Sequence, residues 1–273
     1  MKYKVYLTLA FTVLLMAQGT NPCWAAPPPN PTASDATGNT AGGSGVLLKN
    51  LGENNTGFGY LALSNNTSGN FNTGIGVNAL ESNTTGSINI AVGEWSLRQN
   101  TKGYGNTAVG NWALLNNSTG LENVAIGNNA LTNNSTSSHN TAIGTWSLQS
   151  GGNNNAALGH SSLKNLNVGH GNTALGTQAL TNVLEGKLNL ALGLNAGYNL
   201  TAGDYNIYLS SAGLTTESGT IRIGNKVQHT RTFISGIRGI TTGAANAVAV
   251  VIDGNGQLGT INSKVDPNIR TVV

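Results

Sequence analysis

The run Asn123-Val124-Ala125-Ile126-Gly127 has copies along most of this chain, and their spacing limits the fold more than any other feature. Copies start at Asn55, Asn72, Asn89, Asn106, Asn123, Asn140, Asn155, Asn172, Asn189 and Asn206. Every step is 17 residues except one of 15, from Asn140 to Asn155. A short fixed period assigns one backbone coil to each repeat, and a coil that small cannot bury its apolar face without its neighbours. The pattern therefore predicts an all-β protein: a parallel β-roll or β-solenoid of ~17-residue coils, followed by a small β neck.

Composition agrees. Only 8% of residues are charged and 5% aromatic, which suits the thin core of stacked coils. A disordered polar tract would impose no phase on Ile, Val and Leu, yet these fall in columns. Phe58, Ile75, Val92, Val109, Ile126, Ile143, Leu158, Leu175 and Leu192 form one column, and Leu63, Leu80, Leu97, Leu114, Leu131, Leu148, Leu163 and Leu180 form another. Each coil thus offers two strand-sized pieces. A Gly after the first piece permits a tight corner. The 15-residue step predicts a shortened corner near Ser150 to Asn154.

Strand alternation sets the Thr and apolar positions on one side and Asn and Ala on the other. The expectation is that Ile, Val and Leu fill the interior. The small column Gly57, Gly74, Ala91, Ala108, Ala125, Ala142, Ala157, Ala174 and Ala191 then faces outward, where close approach of another subunit asks for small residues. The recurring Asn residues fit ladders between coils better than glycosylation, because Asn recurs whether or not Ser or Thr follows as in Asn83-Thr84-Thr85 and Asn199-Leu200-Thr201.

The divisions are 1–25 as a signal peptide, 26–45 as a flexible linker, 46–210 as the repeat array, and 211–273 as a β-rich neck with a loose tail. Lys2 and Lys4 precede the apolar stretch Val5 to Ala17, too short to span a bilayer, and Cys23-Trp24-Ala25 offers a cleavage site. Thr20-Asn21-Pro22 lacks the pattern that precedes a lipidated cysteine. The chain is therefore expected to be exported to the cell surface or medium, with no transmembrane anchor of its own. Removing Lys2 and Lys4 leaves 11 basic against 10 acidic residues and no basic stripe, so nucleic acid is not an expected partner. Asn39-Thr40-Ala41 faintly echoes the repeat and reads as a degenerate first coil. Beyond Asn206, strands are expected at Thr220 to Gly224 and Arg231 to Ile240, and a hairpin from Ala247 to Ile261.

The Asn-Thr-Ala-apolar-Gly units resemble the head repeats of trimeric autotransporter adhesins. The resemblance covers roughly Asn55 to Ser210 and implies a left-handed parallel β-roll, three chains to a head. Neither a heptad stalk nor a C-terminal membrane-barrel segment is present. Thr232-Phe233-Ile234-Ser235-Gly236-Ile237-Arg238-Gly239 and Ile252-Asp253-Gly254-Asn255-Gly256-Gln257-Leu258-Gly259 resemble the neck before the self-cleaving chaperone domain of phage-type tail fibres. Asn262-Ser263-Lys264-Val265 stands where a Ser-Ser-Arg-Arg start would follow, so no catalytic serine is carried over.

No catalytic, cofactor or metal site is expected. The acids are scattered, and His139, His160, His170 and His229 occupy different phases of the repeat. Trp95, Trp112 and Trp146 share one phase, two residues after the corner Gly, where Leu61, Asn78, Asn129 and Gln178 stand in other coils. Indoles in such a row can grip a sugar ring or a partner protein, or can pack over the neighbouring coil or into a trimer seam. The expected function is an exported, non-enzymatic, homotrimeric adhesin-like or fibre-like binding module, with a host or environmental glycan or a matrix protein as its partner. The alternatives are a polysaccharide-active enzyme on a β-helix and a purely structural spacer.

Overall fold

The computed structural model describes residues 33–233, 250–252 and 258–260. The expected signal peptide and the tail from Ser263 lie outside them. The chain divides into two compact units after Gln228. The first is a parallel β-solenoid, and no helix occurs among the described residues.

Its strands are β1 (Ala33–Ser34), β2 (Thr40–Gly42), β3 (Thr56–Phe58), β4 (Thr73–Ile75), β5 (Ile90–Val92), β6 (Thr107–Val109), β7 (Val124–Ile126), β8 (Thr141–Ile143), β9 (Ala156–Leu158), β10 (Thr173–Leu175), β11 (Leu190–Leu192), β12 (Ile207–Leu209) and β13 (Ile221–Ile223). They form one sheet in sequence order. β1 pairs antiparallel with β2, and every later neighbour is parallel. Ile75, Val92, Val109, Ile126 and Ile143 pair in unbroken register, as the repeat predicts. The short coil does not disturb the pairing of Thr141, Ala142 and Ile143 with Ala156, Ala157 and Leu158. The sheet extends past both expected ends of the array, through β2 at the expected degenerate first coil to β1, and to β13 within the strand expected at Thr220 to Gly224. The second unit contains β14 (Val250–Ile252) and β15 (Leu258–Thr260), an antiparallel pair inside the expected hairpin. Of the strand expected at Arg231 to Ile240, residues 231–233 are not in a strand and the others lie outside the described residues.

Each coil holds one strand, where the sequence suggested two. The cause lies in the backbone after the corner. Trp112 and Leu114, for example, both have left-handed φ, 63° and 51°, which breaks an extended run. The corner itself requires glycine. Gly110 has φ 130°, and a Cβ there would sit 2.7 Å from the carbonyl group of Gly127 in the next coil.

The expected facing of the strand is reversed. Ala91, Ala108, Ala125 and Ala142 are fully buried, while Ile75, Val109, Ile126, Leu158, Leu175 and Leu192 are 36–44% exposed. The reason is volume. The leucine column from Leu63 to Leu180 already fills the narrow interior, and each leucine is fully buried. Only a methyl group or a hydrogen fits opposite it, as at Gly74, where a Cβ would stand 3.3 Å from Leu63 Cγ. Each buried leucine contributes about 1.5–3 kcal/mol, so the core runs along the Leu and Ala columns. The small column therefore offers no outward seam, and the oligomer argument built on it fails.

Two amide ladders complete the interior. In the first, the side-chain oxygen of each strand-leading Asn accepts from the backbone N–H of its counterpart one coil on. Asn106 to Asn123 and Asn123 to Asn140 are both 3.0 Å, and Asn140 to Asn155 across the short coil is 2.9 Å. The second ladder runs through Asn66, Asn83, Asn100, Asn117 and Asn134, which bears out the ladder reading of Asn83. Asn83 is buried in it, so its sequon is not a surface feature, whereas Asn199 is exposed.

At the C-terminal end Tyr208 takes the place of the alanine and is fully buried. Arg222, the next residue in that column, makes a bidentate pair with Glu217, Nη2 donating to Oε2 at 2.7 Å and Nε to Oε1 at 3.0 Å. Burial of the phenol, with the Glu217 carboxylate close by, pushes the Tyr208 pKa above its usual range.

Candidate functional site

The outer face of the sheet carries two side-chain columns. One is the exposed aliphatic column just described. The other, at the first strand position, mixes Thr73, Thr107, Thr141 and Thr173 with Ile90 and Leu190, both exposed. Parallel sheets are ordinarily covered on both faces, so bare aliphatic residues in successive coils make an unusual solvent surface.

The Trp row lies beyond the Gly corner that follows this face. Trp95, Trp112 and Trp146 occupy left-handed positions with φ 60°, 63° and 58°. Their backbone N–H groups donate to Val77, Glu94 and Asn128 of the preceding coil at 2.9, 2.9 and 3.0 Å. Asn tolerates this conformation better than a bulky residue does, and Asn78, Asn129 and Asn195 fill the same phase elsewhere. Trp112 and Trp146 are 42% and 40% exposed, and Trp95 is less so.

The structure brings Trp95 and Trp112 together. Their ring centroids are 5.7 Å apart with planes 14° apart. Arg98 caps the pair, its guanidinium carbon 4.7 Å from the Trp95 centroid, and donates from Nε to Glu81 in the preceding coil at 2.6 Å. Trp146 stands apart from the pair. Lys164 Nζ lies 4.8 Å from its centroid and the His160 ring lies 5.6 Å away, both from the following coil. Sequence reasoning found the three indoles by their common phase. It missed Arg98 and Lys164, which belong to another phase, three residues further on.

The scattered acids form no comparable arrangement. A shallow cleft lined by Val168, His170, Glu185, Lys187 and Asp204 brings two carboxylates to one surface. Asp204 is engaged there, accepting from the Lys187 backbone N–H at 2.9 Å and lying 3.7 Å from its ammonium. Among the described residues, no three His, Cys, Asp or Glu side chains are grouped to hold a metal, and no helix is long and apolar enough to cross a membrane. No protein-family model matches the sequence, and comparison with curated proteins finds no match.

Proposed function

We propose that this chain is an exported, non-enzymatic, homotrimeric surface binding module of adhesin-like or fibre-like kind, and that Trp95, Trp112 and Trp146 contact its ligand. The observation that carries the reading is the half-exposed indole row, in left-handed backbone positions where other coils use Asn, Ser, Gln or Leu. Apolar faces joined to N–H donors suit a glycan or a matrix protein. Trimer formation rests on the outer aliphatic columns, which three copies would cover, and on the resemblance of the repeats to autotransporter adhesin heads. The pair of strands at Val250–Ile252 and Leu258–Thr260 is consistent with a neck of tail-fibre type.

The test is a screen of the chain from Ala26 onward against glycans and matrix proteins. Trp112→Ala should abolish binding of whatever the wild type captures while leaving thermal stability almost unchanged. If the same change melts the protein or releases monomers, the indoles are packing groups and the reading fails.

A further inference from the structure

The indole faces are not equally occupied. Successive coils lie about 4.8 Å apart, so nearly parallel rings with centroids 5.7 Å apart stack along the solenoid axis. Trp112 thus covers one face of Trp95, and Arg98, tied to Glu81 in the preceding coil, covers the other. On Trp146, Lys164 and His160 approach from the following coil. Two faces remain without a ring or cation contact among the described residues: that of Trp112 toward the following coil and that of Trp146 toward the preceding one. Only the coil that carries Asn129 lies between these two indoles.

Trp112 and Trp146 are two coil steps apart, about 10 Å by the strand spacing. A ring midway would lie about 5 Å from each indole, inside the 4.5–7 Å range of favourable ring contacts. A third stacked indole at position 129 would fill this space, as Trp112 fills the space beside Trp95. The residue there is instead Asn129, a shorter side chain that donates one amide N–H to Oδ1 of the exposed Asn128, accepts from Thr132 Oγ1 at 3.4 Å, and keeps a second N–H for a ligand. The slot therefore has two apolar walls and an amide floor.

Building on the proposed role of the Trp row, we infer that this slot binds one sugar ring of a glycan. The ring lies between the indoles of Trp112 and Trp146, and its hydroxyls bond to the amides of Asn129 and Asn128. A pyranose suits the slot because it offers apolar C–H faces to both walls and hydroxyls at its edge.

The experiment measures tryptophan fluorescence of the chain from Ala26 onward during titration with hexasaccharides of cellulose, chitin and hyaluronan, and with gelatin as a protein probe. At least one sugar should perturb the emission saturably. Trp112→Ala and Trp146→Ala should each weaken it about tenfold or more. Asn129→Trp is the decisive variant, because it fills the slot and extends the exposed row. It should abolish sugar binding with an unchanged circular dichroism spectrum and a melting temperature at or slightly below that of the wild type, since Trp is costlier than Asn in this left-handed position. If sugar binding survives or tightens in Asn129→Trp but is lost in Trp112→Ala, the outer edge of the row binds the ligand and the slot does not. If gelatin binds and no sugar does, the row is a protein contact. Absence of binding by all three sugars at millimolar concentration overturns the inference whatever else the screen captures.

Discussion

Asn134 donates its side-chain N–H to the Asn117 side-chain oxygen at 2.8 Å, and the inner amide ladder ends with that bond. Asn134 Oδ1 is buried and accepts no hydrogen bond among the described residues. One coil on, the phase holds Gly151, and the column then turns apolar through Leu166, Val183 and Leu200, all fully buried. The change coincides with the 15-residue coil. A shortened corner thus marks where this second amide column gives way to an apolar one, while the strand-leading Asn ladder runs on through Asn155, Asn172, Asn189 and Asn206.

The two Asn residues should therefore respond differently to replacement. Asn117→Leu leaves the Asn100 oxygen and one Asn134 donor without their ladder partners, at about 1–3 kcal/mol for each buried group left unsatisfied. Asn134→Leu removes the orphan oxygen and extends the apolar column but strands the Asn117 oxygen, one buried group instead of two, so it should cost less. Thermal melts of the two variants check the order; equal losses would contradict this account of the junction.

Ala125→Leu separates an inward from an outward alanine column. Ala125 is fully buried, so overpacking should lower chain stability by about 1–3 kcal/mol. Gly110→Ala should also destabilise, by a similar about 1–3 kcal/mol for a strained backbone. If Ala125→Leu dissociates subunits without lowering the melting temperature, the column faces outward after all.

The coils, their register and the short step were legible because a 17-residue period with few exceptions leaves one architecture. The facing of the strand was not. Alternation in a three-residue strand separates Ala125 from Val124 and Ile126 without saying which side is inside. The usual choice sends the larger residue inward, but here Leu114 and Leu131 already occupy the interior. The indole row was visible by phase, whereas its cations were not: Lys164 reaches Trp146 from a neighbouring coil, and only the stacking brings them together.

Acid should loosen both ends of the solenoid. Near β1, the Asn39 side chain, the Asn39 backbone N–H and Thr37 hold Asp35 down to about 2. Burial of Glu217 opposes ionisation, but the Arg222 guanidinium and the Leu214 N–H outweigh it and keep its pKa below the ordinary value. A carboxylate with a depressed folded pKa contributes stability that is complete above its unfolded pKa, about 4. That contribution is lost as pH falls through the folded value. Melting temperatures should thus fall progressively below about pH 4, and Asp35→Asn with Glu217→Gln should flatten that part of the profile. An unchanged slope in the double variant would remove both carboxylates from the explanation.

Trp112→Asn tests whether the indole is held for contact or for folding. Asn is the cheaper residue in a left-handed position, and Asn129 already stands there one coil on. The variant should fold with a melting temperature equal to or above that of the wild type. A large loss of stability would show that the Trp95–Trp112 stack supports the coil.

The outer aliphatic columns are where copies of the chain are proposed to meet, and sedimentation velocity tests that most directly. The chain from Ala26 onward should sediment at micromolar concentration as one species of three times the chain mass. Ile126→Asp on the outer face should reduce it to the chain mass without changing its circular dichroism spectrum. A wild-type chain that sediments as a monomer, with its aliphatic face bare, would contradict the proposal.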